Sequence, residues 1–200
     1  MKIEAEARQS SGRAKRPPLA WHQGRTGDLM SSTSPGGRRV LGSLRSSNGK
    51  GVVQMEEHID AGIDDVWSAL TDPQRLAGWL GAIHGDLHVG GAFHARFYAS
   101  GSEGPGRVDA CDPPHRFVVT RSAPLELVIE TTLAAQGPQT VLTVEQRGMP
   151  LHLLGAYGAG LQIHVEDLVD HVSGRQRRDT ESRWDDLIPV YETLAATLEQ

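Results

Sequence analysis

The chain has 200 residues, 38% of them hydrophobic and 22% charged, with net charge −5 and mean hydropathy −0.36. That composition fits one soluble domain with appendages at most, and no apolar run approaches the roughly 18 residues needed to span a bilayer. Residues 1–50 hold ten Lys/Arg against three Asp/Glu (+7) and residues 51–200 ten against 22 (−12), so the folded part is acidic and ill suited to nucleic acid or an anionic membrane.

The first 50 residues are rich in Ser, Gly, Arg and Pro, as in "RQSSGRAKRPP" and "SSTSPGGRR". They show neither a period of 2 nor one of 3.6, and such a segment buries too little apolar surface to offset its ordering entropy. The expectation is a disordered basic leader over 1–50, with translation starting at Met30 or later as one account of it. A basic arm for nucleic acid or a partner is the other reading, but no aromatic beyond Trp21 interleaves the charges. The basic residues have no apolar h-region behind them, so a secretory signal is not expected. Cys111 is the single cysteine; it can form neither an internal disulfide nor a cysteine-rich zinc site, and it points to a reducing cytoplasm.

Order is expected from Val52. Val53, Met55, Ile59 and Ala61 alternate with Gln54, Glu56, His58 and Asp60, a half-buried strand, with Glu57 falling on the apolar face. Ile63, Val66, Trp67 and Leu70 then recur at helical spacing, with Asp64 and Asp65 in the first turn. Asp72-Pro73 reads as an N-cap followed by proline at the first helical position, opening a second helix with Leu76, Trp79 and Leu80 on one face. Helices this short are marginal alone, so Trp67 and Trp79 are expected to anchor them as a pair on the sheet.

From His84 to Arg147 the period is 2, predicting six antiparallel strands. They carry Leu87 and Val89; Phe93, Ala95 and Phe97; Val108 and Ala110; Phe117 and Val119; Leu125 to Leu133; and Leu142 and Val144, with turns at "SGSEGPG", "DPP" and "AQGPQ". Leu154, Tyr157, Leu161, Val165, Leu168 and Val172 then predict a long helix from about Leu151 to Val172. Gly155, Gly158 and Gly160 fall in its first half, at about 1 kcal/mol each relative to alanine. They either widen a cavity or let the helix approach a strand closely. After "SGRQRRDTES", a second helical segment carries Trp184, Leu187, Ile188, Tyr191, Leu194 and Leu198 on one face, with Pro189 bending it.

The stretches "IDAGIDDVWSALTDPQRLAGWLG", "GRVDACDPPHRFVVT" and "TVLTVEQRGMP" resemble the START-like superfamily, also called SRPBCC. The branch they resemble is the one named for the C-terminal domain of activators of the ninety-kilodalton heat-shock ATPase. The resemblance covers about Val52 to Gly174, with Val66–Pro73 its most diagnostic block. It implies an α+β helix-grip fold: a seven-stranded curved antiparallel sheet around a long C-terminal helix, with two short helices after the first strand and an enclosed cavity. The chain then divides into the leader at 1–50, a START-like domain at 51–174, and a linker with a C-terminal helical extension at 175–200, as in some bacterial members. The fold hosts lipid carriers, receptors, cyclases and chaperone activators, so it does not by itself specify function.

No Gly-x-Ser-x-Gly elbow, dinucleotide fingerprint, phosphate loop or His-Glu-x-x-His occurs, so no catalytic residue, metal ligand or cofactor is assigned. His84, His88 and His94 cluster in sequence, and His164 and His171 flank the stripe of the long helix with Asp167 and Asp170 nearby; they are read as solvated or core-edge histidines. More informative are polar residues on apolar faces: Glu57, Arg121, Thr131 and Gln146. Arg121 stands where the family often carries an aromatic. Such residues either reach a wet cavity, pair together or snorkel at strand ends.

The reading is a cytoplasmic domain binding a small hydrophobic or amphipathic molecule. Its site would be formed by Glu57, Trp79, Phe93, Phe97, Phe117, Arg121, Leu127, Gln146, Tyr157 and Leu161. An enzyme of the cyclase or hydrolase kind using Glu57 and a histidine, and a module acting on a chaperone, are the alternatives. A homodimer would be one way to cover the C-terminal segment.

Overall fold

In the computed structural model residues 40–198 are described. The expected leader lies outside the described residues up to position 39, but its last part is ordered. Gly42–Ser47 forms β1, which pairs antiparallel with β2 (Lys50–Ile59). Asn48 (φ 50°) and Gly49 (φ 72°) make the two-residue turn, and Asn-Gly is the dipeptide that a right-twisted hairpin favours. This corrects the expected domain start at residue 51.

Two helices follow, α1 (Ile63–Thr71) and α2 (Pro73–Trp79). Asp72 caps the second as expected, its carboxylate accepting from the Gln74 N–H at 2.8 Å. Trp79 is buried, and its Nε1–H donates to the Ala69 carbonyl at 3.0 Å, which ties the pair together. Trp67 meets Phe117 edge-on, with ring centroids 5.9 Å apart.

The six strands after the helices are β3 (Gly81–Gly85), β4 (Ala92–Phe97), β5 (Glu103–Asp112), β6 (Arg116–Arg121), β7 (Leu127–Gln136) and β8 (Gln139–Met149). Their order in the single sheet is β1-β2-β8-β7-β6-β5-β4-β3, with every neighbouring pair antiparallel. The sheet therefore has eight strands rather than seven, because β1 adds an edge. Two strand expectations shift. Leu87 and Val89 lie in a turn rather than a strand, where the Asp86 carboxylate accepts from the His88 N–H and Gly90 takes φ 84°. The segment "EGPG" is inside β5 rather than a turn: Gly106 is needed there because the Phe93 ring occupies the space a Cβ would fill.

A 3-10 turn at Leu151–Leu153 leads into α3 (Leu154–Val172), which packs on β1, β2, α1 and α2. The C-terminal segment is α4 (Thr180–Ala196), capped by Asp179, and it lies against the other side of α3. Its buried Leu187 and Tyr191 join the main core, so the centre of its apolar face is covered within its own chain, while Leu194 remains exposed.

The three glycines of α3 face α4. A Cβ on Gly155 would stand 3.0 Å from the Glu192 backbone, and one on Gly158 would collide with the Tyr191 ring. They make room neither for a cavity nor for a strand, but for a second helix. Gly160 has only Trp184 Cζ3 nearby, at 3.6 Å. Two alanine substitutions thus separate packing from propensity. Gly158→Ala is expected to destabilise by about 1–3 kcal/mol through overpacking, whereas Gly160→Ala should be neutral or stabilising by up to about 1 kcal/mol. Urea denaturation midpoints of the two variants check this, and equal losses would refute it.

Candidate functional site

In an antiparallel ladder, residues paired across strands share a face. The register puts Glu57, Leu142 and Leu133 on one row, Met55, Val144, Thr131 and Phe117 on the next, then Val53, Gln146, Ile129 and Val119, and finally Leu127 with Arg121 and Gly106. The expected sheet residues do share one face. They do not form one site. Along β7 the row of Glu57 and the row of Arg121 are six residues apart, which is roughly 20 Å at strand rise, so an ion pair between them is excluded. Glu57 is half-buried near the end of β2, with a carboxylate oxygen accepting from the His58 N–H at 3.2 Å.

Trp79 and Phe117 belong to the helix-pair packing described above. Leu127 is core, and Gln146 is 8% exposed one row inward from Arg121. Phe93 forms a separate small cluster with Ala95 and Val108. What converges is Arg121, Phe97 and Tyr157, plus one residue that the sequence reading placed at the edge of the core, His164. Tyr157, Leu161 and His164 are spaced i, i+4, i+7 on α3 and so lie along one stripe of the helix. The signal for His164 was therefore present in its spacing from Tyr157 and Leu161; its polarity masked it.

The geometry centres on Phe97. The Arg121 guanidinium carbon lies 4.5 Å from the Phe97 ring centroid, and the His164 ring centroid lies 5.7 Å from it. Arg121 is only 8% exposed, yet its Nε–H is buried with no hydrogen-bond partner among the described residues. Its one hydrogen bond, from Nη2 to the Ala123 carbonyl, is long at 3.4 Å. The Nδ1 of His164 is likewise buried and unpartnered. Phe97 packs against the small cluster, while Tyr157 and Leu161 pack against the main core. The polar group thus stands at a junction between two apolar clusters that share only the partly buried Ile83 and Leu87.

Electrostatics follow from this burial. Desolvation pushes the Arg121 guanidinium down from its usual value, with the Tyr157 hydroxyl opposing, and burial pushes the Tyr157 phenol up. His164 is lowered to about 4, first by burial and then by the positive charges of Arg121 and Arg177, so its imidazole is neutral at physiological pH. Arg177 is itself held by Asp167 at 3.1 Å and stacks 5.1 Å from the Tyr98 ring centroid. Asp167 and Asp170, each 2% exposed, are thus engaged by arginines rather than by a metal: Arg177 on the first, Arg175 and Arg178 on the second. Among the described residues no three His, Cys, Asp or Glu side chains converge on a metal position.

An antiparallel sheet packed on a long C-terminal helix, with a short helix pair after an early strand, defines the helix-grip class. A family model described as "Activator of Hsp90 ATPase homolog 1-like protein" matches residues 60–173, more than half of the chain, and the chain belongs to that family within the START-like superfamily. Solved structures agree on the fold. CalU16 from Micromonospora echinospora is 23% identical, with a TM-score of 0.65, over 77% of this chain and 95% of its own. DynU16, a protein in the dynemicin biosynthetic locus, is 25% identical, with a TM-score of 0.59, over 64% of this chain and 50% of its own. A conserved Enterococcus faecalis protein of unknown function is 21% identical, with a TM-score of 0.58, over 76% of this chain and 91% of its own. A search of curated proteins finds no match. β1 and α4 lie outside the family match, and they touch each other through Gly42 and Tyr191.

The lowered His164 predicts a pH effect whose sign is fixed. A histidine with a folded-state value near 4, against 6.5 unfolded, takes up its proton more readily in the unfolded chain. Its contribution to stability is whole above pH 6.5 and is lost as pH falls toward 4, a loss on the order of 3 kcal/mol. Urea denaturation between those limits should show a steeper loss in the wild type than in His164→Gln, and parallel profiles would exclude a buried neutral imidazole.

Proposed function

We propose that this protein binds a small amphipathic molecule between α3 and the sheet face that carries Arg121. The apolar body would lie against Phe97, Leu161 and the inner sheet residues, and the polar end against Arg121, Tyr157 and His164. The observation that carries the reading is the pair of buried nitrogens, Arg121 Nε and His164 Nδ1, that have no partner among the described residues and belong to side chains flanking the same Phe97 ring at 4.5 and 5.7 Å. Leaving such groups unmet costs about 1–3 kcal/mol each, and in folded proteins orphaned polar atoms concentrate where a ligand or water completes them. The likeness to DynU16, a protein in the dynemicin biosynthetic locus, is consistent with a small-molecule role.

The ten residues expected from sequence contract to Phe97, Arg121, Tyr157 and Leu161, with His164 added and Gln146 at the margin. Glu57 has no part in this site, so acid–base chemistry built on it with a histidine loses its support. The exposed, unpaired Cys111 fits a reducing cytoplasmic setting, and no described helix is long and apolar enough to cross a membrane.

The test is a titration with Nile red, a neutral hydrophobic dye, alongside native mass spectrometry of freshly purified protein. Saturable dye fluorescence near 1:1 is expected, lost at least tenfold in Tyr157→Trp with a melting temperature within a few degrees of wild type. Absence of saturable binding would mean a solidly packed interior and overturn the reading; dye binding untouched by Tyr157→Trp would place the site elsewhere.

A further inference from the structure

Arg121 raises a question of charge as well as of hydrogen bonding. Guanidinium groups remain protonated in proteins, and a buried charge is tolerated when something of opposite sign meets it. Among the described residues no carboxylate pairs with Arg121. Arg177, whose charge also reaches His164, is matched by Asp167, and the other arginines of the α3–α4 connection by Asp170 and Glu166. What Arg121 meets instead is the face of Phe97, a carbonyl at 3.4 Å, and the Tyr157 hydroxyl within electrostatic range. The inner-face carboxylate on its own sheet, Glu57, is six residues away along the ladder. Among the described residues the site is one negative charge short.

Resting on the ligand-binding reading above, we propose that the ligand is an organic acid, an apolar molecule ending in one carboxylate, and that Arg121 is the residue that selects it. The geometry suits that group. The unpartnered Nε–H of Arg121 is one donor, and a guanidinium offers its donors as a planar fork matched to carboxylate oxygens. The Tyr157 hydroxyl supplies a further donor, and a neutral His164 avoids adding a second fixed charge. Phe97 leaves the guanidinium edge for the acid while its own face holds the cation.

The experiment compares three probes on the full chain by displacement of Nile red: 2-naphthoate, the isosteric neutral 2-naphthamide, and the cationic 2-naphthylmethylammonium. Naphthoate should bind at least tenfold more tightly than the amide, with the ammonium weakest. In Arg121→Met the acid should lose at least tenfold, bringing acid and amide to within about threefold of each other, and the unliganded variant should melt no lower than wild type because an unpaired buried cation has been removed. Equal binding of acid and amide to wild-type protein overturns the inference while leaving the site itself intact, and so does an acid preference that survives Arg121→Met. If neither Nile red nor naphthoate binds, both the inference and the ligand-binding reading fall. Should Arg121→Met not fold, the acid-to-amide ratio in the wild-type protein decides alone.

Discussion

The architecture depends on one buried side chain, Tyr191 of α4. Its ring fills the space left open by Gly158, and its hydroxyl donates to Gln162 Oε1 at 2.6 Å and accepts from the Gly42 N–H at 3.0 Å. Three elements distant in sequence, β1, α3 and α4, meet at that oxygen. Neither Tyr191 nor Gln162 has any exposed surface, and a buried polar pair of this kind is tolerable only because every contact is met. Tyr191 is correspondingly pushed up to about 12, chiefly by burial. The glycines of α3 are unfavourable for a helix in isolation, and the close approach of α4 is what offsets them.

With one side of α3 committed to α4, the other is left for the sheet. The connection between the helices is held by charge. Glu166, Asp167 and Asp170 on α3 pair with Arg175, Arg177, Arg178 and Arg183. Exposed pairs of this kind contribute little individually, but here two of the carboxylates are buried, and breaking such a pair strands a charge. Arg177 also carries this network to the site, since it stacks on Tyr98 and its charge helps keep His164 neutral.

The site itself is defined by what is missing. Several core polar groups elsewhere among the described residues are paired: Gln162 with Tyr191, Asp167 with Arg177, Thr140 with the Ala61 carbonyl. Arg121 Nε and His164 Nδ1 are the buried side-chain polar atoms without a partner among the described residues, and they stand beside the same phenylalanine. Two unpaired buried groups converging beside one ring are the observation on which the proposed ligand site rests.

Much of the fold was legible in sequence because it rests on local periodicity. Alternation revealed β2 and β4, the Asp72-Pro73 cap placed α2, and the stripe from Tyr157 to Leu168 placed α3. The Asn48-Gly49 turn went unread with the rest of the leader, because the polar residues around it concealed β1. The site was legible only in part. Sequence alternation correctly assigned Arg121, Gln146 and Glu57 to one face, yet a face spans many residues, and only the cross-strand register separates Glu57 from Arg121 by about 20 Å. Sequence likewise identified the glycines of α3 as unusual, but whether they faced sheet, cavity or helix depended on where α4 docked. The sequence by itself determined the strands, the helices and their inward faces, since those follow from contacts between near neighbours. Tertiary structure alone decided that Tyr191 fills the gap over Gly158 and that no described carboxylate reaches Arg121, because both depend on groups brought together from distant parts of the chain.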